Sequence, residues 1–202
     1  MIENLFATPI YYDFLRGHDV IKDRIDKAIN GVEFAMNIKG WGNTHSISTK
    51  FKNGAGTNII KELDLHILEK EIDDHLQQYC DQMNMDRTFL QIFEKLDYKM
   101  LSWFSKFEKG NYAHIHDHGD ADISGVYYYK TNNIDGDLFF ISPNPHLDTS
   151  RSYQRYGEPW VHQPQEGKIL LFPGWLKHGV RTNSSDSTRI SLSFNIYFNH
   201  KR

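Results

Sequence analysis

From Arg189 to Ile196 polar and apolar residues alternate without a break. Ile190, Leu192, Phe194 and Ile196, continued by Phe198, share one parity, and Arg189, Ser191, Ser193 and Asn195 share the other. Successive side chains of a strand point to opposite faces, so this segment predicts a β-strand with one apolar and one polar side. Its apolar side must be covered by another layer, which constrains the chain more than any other stretch. Shorter β-like runs occupy 100–107, 123–130, 137–141 and 168–172. Asn132, Asn133, Asp135 and Gly136 mark a tight turn, and 142–167, with Pro143, Pro145, Pro159 and Pro164, reads as a long insertion. The first half has a different period. Ile21, Ile25, Ala28, Ile29, Val32 and Met36 recur at helical spacing behind Asp19, the expected cap, and Leu65, Leu68, Ile72, Leu76, Tyr79 and Met83 form a second stripe. Between them, 40–56 is rich in Gly, Ser, Thr and Asn and reads as an irregular connection. Helices first and strands afterwards predict an α+β chain, its N-terminal helices packed on one side of an antiparallel sandwich or barrel.

With 202 residues, 39% apolar and 14% aromatic, the chain has material for one core. One domain over 1–202 is expected, 1–97 as mostly helical support and 98–202 as the β part. The net charge of -3 comes without a long basic run, so neither a nucleic-acid groove nor an anionic membrane surface is indicated. No stretch approaches the roughly 20 apolar residues of a membrane helix, and Met1-Ile2-Glu3-Asn4 lacks the basic start of a signal peptide. Cys80 is the sole cysteine, so no internal disulfide forms and the reducing cytoplasm is the expected setting.

The eleven histidines are clustered rather than spread. His114, His116 and His118 alternate with Ile115 and Asp117 at the end of a β-like run, so an adjacent pair can offer two imidazoles to one metal ion. A solvated polar strand end has the same spacing. A third ligand must come from elsewhere, and His178, expected just past a strand end after Leu171-Phe172-Pro173-Gly174, is the best candidate. Arg189 stands eleven positions later. On an outer strand it would be a surface charge. If the apolar side packs under the helices, the polar side lines an interior, and Arg189 with Ser191 can hold a ligand carboxylate. The guanidinium suits this because its planar fork makes two charge-assisted bonds and stays charged.

In this order these residues resemble the 2-oxoglutarate and iron(II) dependent oxygenases, over about 98–198. The family pattern of His-x-Asp/Glu, a distal His, and an Arg followed at the second position by Ser or Thr corresponds to His116-Asp117-His118, His178 and Arg189-Ile190-Ser191. Ser124-Gly125-Val126-Tyr127-Tyr128-Tyr129 and Leu171-Phe172-Pro173 are further similar to prolyl-hydroxylase-like members common in phages and marine bacteria. There His-x-His stands six residues before Ser-Gly, which selects His116 and His118 over His114. The resemblance implies a double-stranded β-helix (jelly-roll, cupin-like) core of antiparallel strands with supporting N-terminal helices. It implies Fe(II) held by His116, His118 and His178, with no catalytic residue beyond the ligands. It also implies 2-oxoglutarate as co-substrate at Arg189, Ser191 and Tyr128. The reaction implied is hydroxylation of a C–H bond in a small-molecule or peptide substrate, with release of succinate and carbon dioxide.

One departure stands out. His118 occupies the place of the usual carboxylate ligand, which leaves either a three-histidine face or a carboxylate from Asp117 or Asp120. A neutral ligand there weakens binding of a divalent ion and changes its redox behaviour. Two other readings fit parts of the pattern. A cupin-type metalloprotein would not use 2-oxoglutarate, but it usually has a Glu soon after the paired histidines, where this chain has Asp120 and Asp122, and it leaves Arg189 without a role. A degenerate binding module would keep the fold without the activity. Within the insertion, Tyr153, Tyr156 and Trp160 are candidates to close over a substrate, and mobility is expected there.

Overall fold

The computed structural model describes residues 7–36, 44–48, 57–83, 85, 91–92, 95–144, 146 and 159–199. In chain order the elements begin with β1 (Tyr11–Phe14), α1 (His18–Ile29), β2 (Phe34–Ala35), β3 (Ser46–Ser48), α2 (Ile59–Glu62) and α3 (His66–Gln82). They continue with β4 (Gln91–Ile92), β5 (Lys95–Leu96), β6 (Tyr98–Phe107), β7 (Ala113–His116) and β8 (Ile123–Lys130). The last are β9 (Leu138–Phe140), β10 (Trp160–His162), β11 (Lys168–Pro173), β12 (His178–Val180) and β13 (Arg189–Phe198). One sheet has the order β1-β11-β8-β13-β6-β3-β2 and faces a second, β10-β9-β12-β7, while β4 and β5 pair separately. The ladders within both main sheets are antiparallel, giving the α+β double-stranded β-helix.

The alternating strand sits in the middle. β13 pairs with β6 along its whole length, from Arg189↔Phe107 to Phe198↔Tyr98, and with β8 on its other side. Its apolar residues, Ile190 to Phe198 at every second position, share a core with Ile21 and Ile25 of α1 and with Leu68, Ile72, Leu76 and Tyr79 of α3. The opposite side of the large sheet packs on the small one, where Val126, Tyr128, Leu170 and Phe172 meet Leu138 and Val180. Arg189 and Ser191 are therefore interior residues, each 1% exposed, and the outer-strand arrangement is ruled out. Gly125 of β8 makes this layering feasible: a Cβ there would lie 2.2 Å from Cζ of Phe194.

The helical half departs from expectation in detail. α1 ends at Ile29 rather than running to Met36: Asn30 and Gly31 close its last turn, and the chain turns into β2, which pairs with β3. Val32 still reaches the helix-side core, but Met36 is exposed. Asp19 lies in the first turn and does not cap it. Gly17 is the N-cap, and the Glu71 carboxylate accepts the N–H groups of Arg16 and Gly17 from across the helix pair. α3 follows its predicted stripe, although Met83 is 39% exposed at its end. β1, β2 and β3 were not anticipated; they widen the large sheet from both edges. No helix among the described residues is long and apolar enough to cross a membrane.

Candidate active site

The small sheet brings the histidines together. His116 ends β7 and His178 opens β12, where the two are direct antiparallel partners. His178 thus lies just past the end of β11, as expected, and is also the first residue of the next strand, because the turn after β11 is short enough for the chain to re-enter the opposite sheet at once. His118 lies two residues beyond β7, and its N–H donates to the Gly174 carbonyl at 2.9 Å. Gly174 is required for that approach, since a Cβ would sit 2.0 Å from the Ala121 carbonyl oxygen. One ring nitrogen from each of His116, His118 and His178 falls within 4.8 Å of the others. His114 is outside the group, exposed and in edge contact with Tyr112 at 4.9 Å.

Hydrogen bonds set the tautomers. Nδ1 of His178 donates to the Leu176 carbonyl at 2.8 Å, and Nδ1 of His116 donates to the His114 carbonyl at 2.7 Å. In the neutral rings both Nε2 atoms are then left with lone pairs. Nε2 of His118 and Nε2 of His178 stand 3.2 Å apart. Burial lowers His118 to about 3, helped by His116; burial lowers His178 to about 3 as well, helped by His116 and His118. Neutral imidazoles aimed at one point form a donor set that fits a divalent transition-metal ion. Asp117 and Asp120 are exposed, and Asp117 accepts the Gly119 N–H at 3.1 Å. Among the described residues the cluster contains no carboxylate.

Arg189 and Ser191 line the same cavity of about 50 Å³, which also reaches the three histidines. The guanidinium lies over the rings of Phe107 and Tyr128, at 4.8 and 5.0 Å from their centroids, and Nη1 donates to the Gly136 carbonyl at 2.5 Å. Two buried polar atoms here have no partner: Nε of Arg189 and the Tyr128 hydroxyl. Burial pushes the Tyr128 hydroxyl up to about 12, against the pull of Arg189, so it is a protonated donor. Both orphaned atoms are donors and the guanidinium supplies charge, a chemistry that suits a carboxylate.

Trp103 and His45 are among the cavity residues that the sequence reading did not single out. Trp103 stacks on His118 at 5.9 Å, and its place was readable, since Trp103, Ser105 and Phe107 are the cross-strand partners of Ser193, Ser191 and Arg189. His45 stacks on Phe107 at 4.4 Å with the planes 6° apart. It belongs to the irregular connection and carries no periodic signal. In the insertion, Tyr153 and Tyr156 lie outside the described residues, while Trp160 is 68% exposed on β10. Gly167, at the insertion's end, is tied through its N–H to Tyr128 and through its carbonyl to Leu15.

Residues 101–195 match a family model described as "Putative 2OG-Fe(II) oxygenase". Over these residues the chain is similar to the 2OG-Fe(II) oxygenase family. Members are 2-oxoglutarate-dependent non-haem iron oxygenases, and the oxygenase segment contains every candidate site residue predicted above. Solved structures share the architecture. The epimerase SnoN from nogalamycin biosynthesis has a TM-score of 0.62 at 12% identity, covering 95% of this chain and 78% of its own. HygX from Streptomyces hygroscopicus, solved with nickel, 2-oxoglutarate and hygromycin B, has 0.60 at 10%, covering 95% and 84%. A Pseudomonas putida prolyl-4-hydroxylase has 0.57 at 12%, covering 96% and 94%. At such identities the likeness is one of fold. No curated protein sequence matches the chain.

Proposed function

We propose that the protein is an iron(II)- and 2-oxoglutarate-dependent dioxygenase that hydroxylates a C–H bond of a small-molecule or peptide substrate, giving succinate and carbon dioxide as co-products. One observation carries this reading: three converging imidazoles and a buried arginine whose Nε has no partner occupy two parts of one cavity. A buried donor left unpaired costs about 1–3 kcal/mol, and a distal carboxylate would satisfy both Arg189 and Tyr128. Ser191, on the same side of β13, adds a hydroxyl. His116 and His178 would hold the metal through the Nε2 atoms that their backbone hydrogen bonds leave available, and His118 through its Nε2, which faces that of His178. When bound, iron supplies the dioxygen activation and C–H oxidation that no side chain can. The chain's own contribution is to orient these groups and exclude water, with Trp103 against His118 and Phe172 at 4.8 Å from His178 as apolar walls. The helical part and the β part act as one domain. Its single cysteine, buried Cys80, suits a reducing compartment such as the cytoplasm.

The test starts from anaerobic protein loaded with Fe(II). Adding 2-oxoglutarate should produce the charge-transfer absorbance of the chelate, and admitting oxygen should release succinate. Absence of both would refute the proposal. His116→Ala, His118→Ala and His178→Ala should each retain far less iron through anaerobic dialysis, whereas His114→Ala should retain the wild-type amount. Equal retention in all four variants would overturn the ligand assignment.

A further inference from the structure

A second, larger cavity of about 650 Å³ is lined by residues of β1 and β10, the edge strands of the two main sheets. It is continuous in structure with the metal end of the first. His116, His178, Phe140 and Trp160 are successive cross-strand partners through β7, β12, β9 and β10, and such partners share a face. Neighbouring strands lie about 4.8 Å apart, so Trp160 stands about 10 Å from His178 along that row. Between them, the Phe140 ring lies 6.0 Å from His178, and the Leu176 carbonyl accepts from His178 Nδ1 at 2.8 Å. Phe140 and Leu176 both line the second cavity, which therefore begins one side chain away from a candidate metal ligand.

The lining has a definite chemistry. Ile10, Ile141, Pro143 and Leu176 are apolar, and Tyr12 and Trp160 add two aromatic rings that are 60% and 68% exposed although both sit on strands. Tyr12 pairs with Leu170, a residue of the core between the sheets, so it is on the inner side. It is held there by the His162 ring at 5.5 Å and by the Lys168 ammonium 5.4 Å over its face. Exposed rings already held in place lose little freedom when a ligand lies on them, so their contact area counts towards binding. His162 supplies a polar contact. Burial, and then Lys168, lower its pKa from the ordinary value, so the imidazole is neutral at pH 7 and exchanges a hydrogen bond with a hydroxyl or a carbonyl. Small-molecule sites occupy about 300–1,000 Å³, a range that includes this cavity. A sugar would leave its hydroxyl groups against Ile10, Ile141 and Pro143, where they find no partner.

We propose that this second cavity binds the substrate, and that the substrate is a small molecule with a flat, largely apolar ring that lies against Tyr12 and Trp160. This rests on the iron and 2-oxoglutarate reading of the neighbouring cavity. The row of cross-strand partners sets the length. To lie on Trp160 and still offer a carbon beside His178, the molecule must span about 10 Å past Phe140, which calls for a fused ring system or a ring with a short chain.

The experiment titrates the full chain with 2-naphthol in equilibrium dialysis, with naphthol fluorescence giving the bound fraction. Wild-type protein should bind it saturably, and Trp160→Ala and Tyr12→Ala should each weaken binding by about fivefold or more. Ile134→Ala, at a 71% exposed position outside the cavity lining, should leave the affinity unchanged. In a second arm the anaerobic Fe(II) and 2-oxoglutarate chelate is formed first. 2-Naphthol should then shift its charge-transfer band, with a half-saturation that rises in Trp160→Ala by the same factor as in dialysis. No binding by the wild type, equal affinity in both aromatic variants, or binding without a band shift would overturn the proposal. Tighter binding of methyl β-glucoside or of N-acetylphenylalaninamide than of 2-naphthol would also overturn it, in favour of a sugar or a peptide side chain. Failure of the wild type to form the chelate at all would instead reject the functional reading beneath it, whatever the dialysis shows.

Discussion

Replacing Arg189 by leucine separates a ligand-binding arginine from a structural one. The side chain is 1% exposed, sandwiched by Phe107 and Tyr128, and its only side-chain hydrogen bond among those described is from Nη1 to the Gly136 carbonyl. A buried charge with so few partners contributes little to folding, because its desolvation opposes what its contacts supply; burial accordingly lowers its pKa. Leucine fills much of the volume without that penalty. The loss of one bond to Gly136 costs about 1 kcal/mol, so the thermal midpoint of the apo protein should move by only a few degrees. Binding should respond very differently. Truncating one partner of a buried, hydrogen-bonded charge pair costs about 2–5 kcal/mol, which is about thirty-fold to several-thousand-fold in the dissociation constant. The assay is anaerobic titration of 2-oxoglutarate into the iron-loaded protein, followed by the chelate absorbance, with iron content measured in parallel. Iron should remain at the wild-type level while 2-oxoglutarate affinity collapses. Wild-type affinity in the leucine variant would remove Arg189 from the co-substrate site, and a collapse of thermal stability would make it a structural residue.

Tyr128→Phe removes a buried hydroxyl that has no partner, so thermal stability should hold or rise slightly, while 2-oxoglutarate affinity drops by about three- to tenfold; unchanged affinity would leave the hydroxyl without a ligand role. Gly125→Ala forces a Cβ into Phe194 and within 2.9 Å of Leu171, both in the helix-side core, and should lower stability by about 1–3 kcal/mol in urea titration; a neutral result would mean that the core yields there. His45 supplies a pH dependence. Burial, with the charges of His116 and Arg189, lowers it from 6.5 to about 4, so between those values the unfolded chain binds a proton that the folded protein refuses. Stability should therefore be complete above about pH 6.5 and decline towards pH 4, by on the order of 3 kcal/mol from this group. His45→Asn should flatten that decline in urea titrations at pH 7, 5.5 and 4; identical slopes would show that His45 is not responsible.

What the sequence determined by itself was periodicity and order. The alternation in Arg189–Phe198 and the stripe from Leu65 to Tyr79 survive because local parity and helical phase decide which residues share a face, whatever surrounds them. His116, His178 and Arg189 sit at a strand end or strand start near where the pattern marks one, and His118 follows two residues after the end of β7. What local pattern cannot decide is which face meets water. Only the packing of α1 and α3 on one side of β13 turned Arg189 inward, and only the antiparallel pairing of β7 with β12 brought His178 opposite His116. The same holds for His45, which reaches Phe107 from an irregular segment far away in the sequence. Whether Asp117 or Asp120 joins the histidines was undecided in the chain because both stand close to His118 in sequence. In the tertiary structure the turn that bonds the His118 N–H to Gly174 leaves both aspartates exposed to water, and burying either would cost solvation that an exposed carboxylate keeps.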